Sequence, residues 1–106
     1  MNYHDVFRQG ATQNLTFNAA GGASTQSSAF GSQTRAIRVS FPGALTATAG
    51  VRIAISENPT ASATSALLPP NWVEYIQVGP GQKIAVLSND TITSGTNVNV
   101  NVTELW

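Results

Sequence analysis

The sequence predicts an all-β protein, an antiparallel β-sandwich or small jelly-roll-like barrel with an irregular N-terminal arm. Three observations carry this. Apolar residues recur with period two in window after window, as a strand with one buried face requires. Gly, Pro and Asn punctuate those windows at short intervals. No window shows the three-and-four spacing of an amphipathic helix; the nearest, "TASATSALL" (60–68), runs straight into Pro69-Pro70. A length of 106 residues sets one domain. It divides into an arm over residues 1–12 and a single β domain over residues 13–106.

The arm, "MNYHDVFRQGAT", shows no alternation. It reads either as a frayed tail or as an arm that orders on a partner, with Tyr3, Phe7 and Arg8 as anchors of the kind that dominate interfaces. The first strand is "NLTFN", in which Leu15 and Phe17 alternate with Asn14, Thr16 and Asn18. A weaker candidate surrounds Phe30 in "SSAFG". In "RAIRVSF", Ile37, Val39 and Phe41 share one face. Pro42-Gly43 ends that strand, and "ALTAT" (44–48) is a second weak candidate. Val51, Ile53 and Ile55 share a face of "VRIAIS", which Asn58-Pro59 closes. "VEYIQVG" and "KIAVLS" flank Gly79-Pro80-Gly81, and they read as a β-hairpin with Ile76, Val78, Ile84 and Val86 on the same core. The last strand is "NVNVNVT", with Val98, Val100 and Val102 inward.

Composition narrows the function. Charged residues make up only 9%, against roughly 25% in an ordinary soluble domain. Thr, Ser and Asn occupy the polar faces in place of lysine. Such faces leave sheet edges poorly guarded, so either a partner covers the edges or pairing belongs to the assembly. Net charge is zero, and the five cations are scattered. A phosphate-backbone binder needs clustered cations to release counterions, so no nucleic-acid partner is expected. No polybasic run or apolar span of about 20 residues marks a membrane partner, and no secretion signal is read at the N-terminus. Absence of cysteine removes disulfides, thiol catalysis and thiolate metal sites. Without a secretion signal, Asn14-Leu15-Thr16, Asn89-Asp90-Thr91 and Asn101-Val102-Thr103 read as strand and turn residues rather than glycosylation acceptors.

Each candidate for chemistry meets a simpler reading. Gly79-Pro80-Gly81-Gln82-Lys83 echoes a phosphate loop. Its spacing departs from G-x-x-x-x-G-K-[ST], its proline removes a donor, and a strand follows it. It is read as a turn with Pro80 and Gly81 at the corners. His4 stands with Asp5 alone, short of the three or four converging ligands of a metal site. Glu57, Glu74 and Glu104 have no pairing suited to acid–base work. Hence no enzyme, metal, cofactor or small-molecule substrate is expected. Trp72 reads as a cap on the core where the strand from Val73 begins, with a sugar-stacking platform as its alternative. Trp106 reads as packing on a neighbouring subunit.

The succession "TQNLTF", "TRAIRVSF", "VRIAISENPTAS", "LLPPNWVEYIQVGPGQKIAVLS" and "VNVTEL" resembles small virion proteins of tailed bacteriophages, most closely the capsid cement or decoration type. The resemblance spans about Thr12 to Leu105 and is carried by strands and turns. It implies a structural protein made in the host cytoplasm and placed on the capsid surface. There, as a homotrimer, it would bind junctions of the major capsid protein and stabilise the head. The alternative is a tail- or fibre-associated module that attaches to the host through carbohydrate.

Overall fold

A computed structural model describes residues 8–18, 23–41, 50–89 and 97–106. They form eight strands: β1 (Gln9–Asn18), β2 (Thr25–Gln26), β3 (Ala36–Phe41), β4 (Val51–Ser56), β5 (Ala66–Leu68), β6 (Trp72–Gln77), β7 (Lys83–Ser88) and β8 (Asn97–Leu105). Two four-stranded antiparallel sheets result, ordered β1-β8-β3-β6 and β2-β7-β4-β5. The pairing is nested: β1 with β8, β2 with β7, β3 with β6 and β4 with β5. The chain is thus a long ribbon doubled back on itself near β4–β5 and rolled into two layers, the jelly-roll form of a sandwich. The β3–β8 and β4–β7 ladders complete the sheets. No helix occurs among the described residues.

Alternation places the core. Leu15, Phe17, Ile37, Val39, Phe41, Val100 and Val102 of the first sheet meet Val51, Ile53, Leu68, Ile84 and Val86 of the second in one buried cluster. Valine and isoleucine suit this setting, because their branched side chains pack on a pleated surface. The outward face of β1 and β8 is a ladder of amides and hydroxyls. Thr12 pairs with Thr103, Asn14 with Asn101 and Thr16 with Asn99, joined side chain to side chain at 3.1, 3.0 and 2.7 Å. Polar satisfaction there is reached without charge.

Two expectations change. β6 and β7 belong to different sheets, so Gly79-Pro80-Gly81 is an arch between layers and not a hairpin. Period-two alternation fixes which way side chains face but is silent on which strand is the neighbour. The facing itself holds, since Val78, Ile84 and Val86 lie in the core cluster and Ile76 packs against it. The second change concerns the start of the domain. β1 begins at Gln9, so Gln9–Thr12, assigned above to the arm, stand opposite β8. "ALTAT" and Val98's side chain lie outside the described residues. "SSAFG" forms no strand, although Phe30 is buried.

Gly50 opens β4 in a conformation only glycine takes easily, with φ at 85°. A Cβ there would sit 2.5 Å from the Leu68 carbonyl oxygen, which is backbone and cannot step aside without shifting β5. Gly50→Ala combines the left-handed backbone penalty with this clash. It is expected to lower stability by about 2–3 kcal/mol. A urea titration checks this, through a lower midpoint at unchanged slope.

Candidate interaction surface

The arch at residues 79–82 has no spare backbone donors for a phosphate. Gly79 N–H is taken by its neighbour Gln82 Oε1 at 2.8 Å, and Gln82 N–H by the Gly79 carbonyl at 3.3 Å. Gly81 N–H points to the Phe30 carbonyl at 3.0 Å, and proline supplies none. Gly81 has φ at 80°, and with Pro80 before it the turn is of type II. Lys83 is half-buried at the start of β7.

Chemistry-bearing residues stay apart. No group of three or more His, Asp or Glu side chains gathers among the described residues. His4, Asp5 and Asp90 lie outside them. Glu57 is exposed beside the Asn58-Pro59 bend, and Glu104 is buried at the far end of β8. No helix among the described residues is long and apolar enough to cross a membrane.

Of the expected anchors, Tyr3 and Phe7 lie outside the described residues. Arg8 and Trp106 come together. Arg8 N–H donates to the Trp106 carbonyl, and Trp106 N–H to the Arg8 carbonyl, so the two close the end of the β1–β8 ladder. The Trp106 indole lies against Gly10, where an added Cβ would come within 1.9 Å of the ring. The six-membered-ring edge of Trp106 is therefore covered within its own chain, and the residue is half-buried.

The exposed apolar side chains concentrate on β5 and β6. Among the described residues the large ones are Leu67, Trp72, Val73 and Tyr75, of which Trp72 is 53% and Tyr75 62% exposed. Trp72 is thus no core cap. β6 is the outer strand of its sheet, so only its end near Ile76 reaches the core, and alternation could not reveal this. Trp72 and Glu74 share one face, where the indole Nε1–H donates to Glu74 Oε2 at 2.8 Å. Val73 and Tyr75 share the other, level with Ser40 and Arg38 of β3. Pro69-Pro70-Asn71 carries the chain from β5 to β6. Asn71 sits at φ 61° and donates its N–H to the Phe41 carbonyl at 2.8 Å. Asparagine is among the few residues that tolerate this geometry.

The result is an amide- and hydroxyl-rich sheet face, to which β3 contributes the cation Arg38, that ends in an aromatic edge strand. Such a surface can bury apolar area and form main-chain hydrogen bonds with little dependence on salt. No family model, curated protein or solved structure matches the chain.

Proposed function

We propose that this chain is a structural assembly protein of the capsid cement or decoration type, acting by packing against virion subunits rather than by chemistry. The observation that carries the reading is the exposed apolar group on β5 and β6, Leu67, Trp72, Val73 and Tyr75. Scattered apolar residues are ordinary on a surface, but four large ones gathered on two successive outer strands, β5 and β6, suit a contact. A stable contact buries about 1,600 Å² in total, more than four side chains supply. Repetition over a shell would multiply a small contact into avidity. By fold-level analogy alone, jelly rolls recur in capsids, which is compatible with this reading.

The test is particle association. Mass spectrometry of particles purified from the source, with antibody labelling of intact heads, is expected to find the chain on the head. A double Trp72→Ala, Tyr75→Ala variant is expected to lower its occupancy several-fold. Removal of residues 1–7, which leaves β1 whole, tests the arm in the same assay. A chain missing from particles overturns the proposal.

One observation favours a second reading. The Trp72 indole is exposed and held by Glu74, as a sugar-stacking platform would be. Jelly rolls also occur among lectins. A glycan array separates the two. A sugar ligand that is lost in Trp72→Ala would place the protein in host attachment.

A further inference from the structure

Every sheet edge presents unpaired backbone N–H and C=O groups that can template another strand. Among the described residues the two sheets end in β1, β6, β2 and β5. Three of these edges are blunted. The β1 register shifts between Gln9 and Thr12, and the edge of the Trp106 ring abuts Gly10 there. β2 has two residues, and its Gln26 side chain is tied to Asn58 Oδ1 and the Pro59 carbonyl at 2.9 and 2.7 Å. β5 has three residues and runs into Pro69-Pro70.

Among the described residues β6 has none of these devices. Its six residues keep an unbroken register with β3, from Ala36 opposite Gln77 to Phe41 opposite Trp72. It contains no proline, lysine or arginine. Its single charge, Glu74, already accepts the Trp72 indole N–H. It also carries three of the four exposed large apolar side chains among the described residues.

We infer that β6 pairs antiparallel with β6 of a second copy, about a twofold axis at Tyr75, joining two four-stranded sheets into one of eight. Pairing across this axis keeps like faces together, so only every second register is available. The register centred on Glu74 would set two carboxylates directly opposite, which is unfavourable. The register centred on Tyr75 sets Tyr75 against Tyr75, Val73 against Gln77 and Glu74 against Ile76 of the second copy. No like charges then meet, and the net charge of zero leaves no long-range repulsion between copies. Such a contact is self-complementary, as the commonest homo-oligomers are. It rests on the assembly reading for its purpose and on the edge geometry for its form.

The full-length chain in solution provides the test. Light scattering after size exclusion is expected to report twice the 11.1 kDa chain mass. Tyr75→Lys, which sets two ammonium groups opposite each other, is expected to shift the mass to that of the monomer with the circular dichroism spectrum retained. Because the chain has no cysteine, Tyr75→Cys gives a clean second readout. Its two Cα atoms would lie about 4.5–5.5 Å apart, within disulfide reach, so mild oxidation should link the copies. Thr60→Cys, exposed on the loop after β4, should stay unlinked. A monomer at every concentration, a trimer, or a dimer indifferent to Tyr75→Lys without the cross-link would overturn the inference. A monomer that is still found on particles defeats the pairing alone. A dimer that is missing from particles defeats the assembly reading alone.

Discussion

Replacing Phe41 with alanine is expected to lower the unfolding free energy by about 3–5 kcal/mol, a large share of the 5–15 kcal/mol typical of a small domain. Phe41 is the bulkiest of the fully buried side chains among the described residues. Its ring meets that of Phe17 at a centroid separation of 6.1 Å and an angle of 52°, reaching across the intervening β8. Two losses therefore add. Removing the ring takes apolar surface out of the core and leaves a cavity whose walls, strands fixed by ladders on both sides, cannot fully close. Phe17 also loses a tilted aromatic neighbour worth about 0.5–1.5 kcal/mol. The melting temperature should fall by on the order of 20 °C. Phe41→Leu separates the contributions, because it restores most of the volume without the ring. It should recover more than half of the loss. A leucine variant as unstable as the alanine one would show that the ring pair, and not the cavity, dominates. Calorimetry of both variants decides this.

The core was legible because burial in a sandwich is written as parity. Ile37, Val39 and Phe41 alternate with Ala36, Arg38 and Ser40, and no other element type accommodates that pattern. Pairing was not legible. β1 and β8 lie at opposite ends of the chain, with Thr12 and Thr103 91 positions apart, and nothing local announces such a partner. The same limit produced the mistaken hairpin at Gly79–Gly81, where the turn chemistry was right and the sheet membership wrong. Trp72 failed for a related reason. An outer strand is half-solvated on its core-side face as well, so an aromatic residue in phase with Ile76 is exposed all the same. Glu104 was legible in part. It has the parity of Val100 and Val102, which places it inward, but a lone carboxylate in a sequence gives no sign of the donors that await it.

Those donors make Glu104 the second large effect. The residue is only 6% exposed, on β8 opposite Ile37. Its Oε1 accepts the Gly31 N–H at 2.7 Å and the Thr34 hydroxyl at 2.6 Å. Gly31 and Thr34 bracket a tight turn closed by Thr34 N–H to the Gly31 carbonyl at 3.2 Å. This turn lies on the crossover from β2 to β3, which leaves one sheet and enters the other. The crossover is fastened at each end. Phe30 exchanges hydrogen bonds with Gly81 and Gln82 near β7, and Arg35 N–H reaches the Leu105 carbonyl at 2.9 Å. Glu104 holds the middle. Glu104→Ala strips the acceptor from both donors at once. The buried Thr34 hydroxyl left unpaired costs about 1–3 kcal/mol, and the Gly31 amide, at an exposed glycine, costs less because water can reach it, so the expected loss is about 2–3 kcal/mol. Glu104→Gln keeps an oxygen at the same reach, so both bonds persist in neutral form and the loss should stay near 1 kcal/mol. The contrast is diagnostic. If glutamine destabilises as much as alanine, the negative charge itself holds the crossover, and the hydrogen-bond account fails. If neither does, the turn holds without its anchor. Hydrogen exchange adds a local readout, since the Gly31 and Thr34 amides should lose protection in Glu104→Ala before the amides of β3 do.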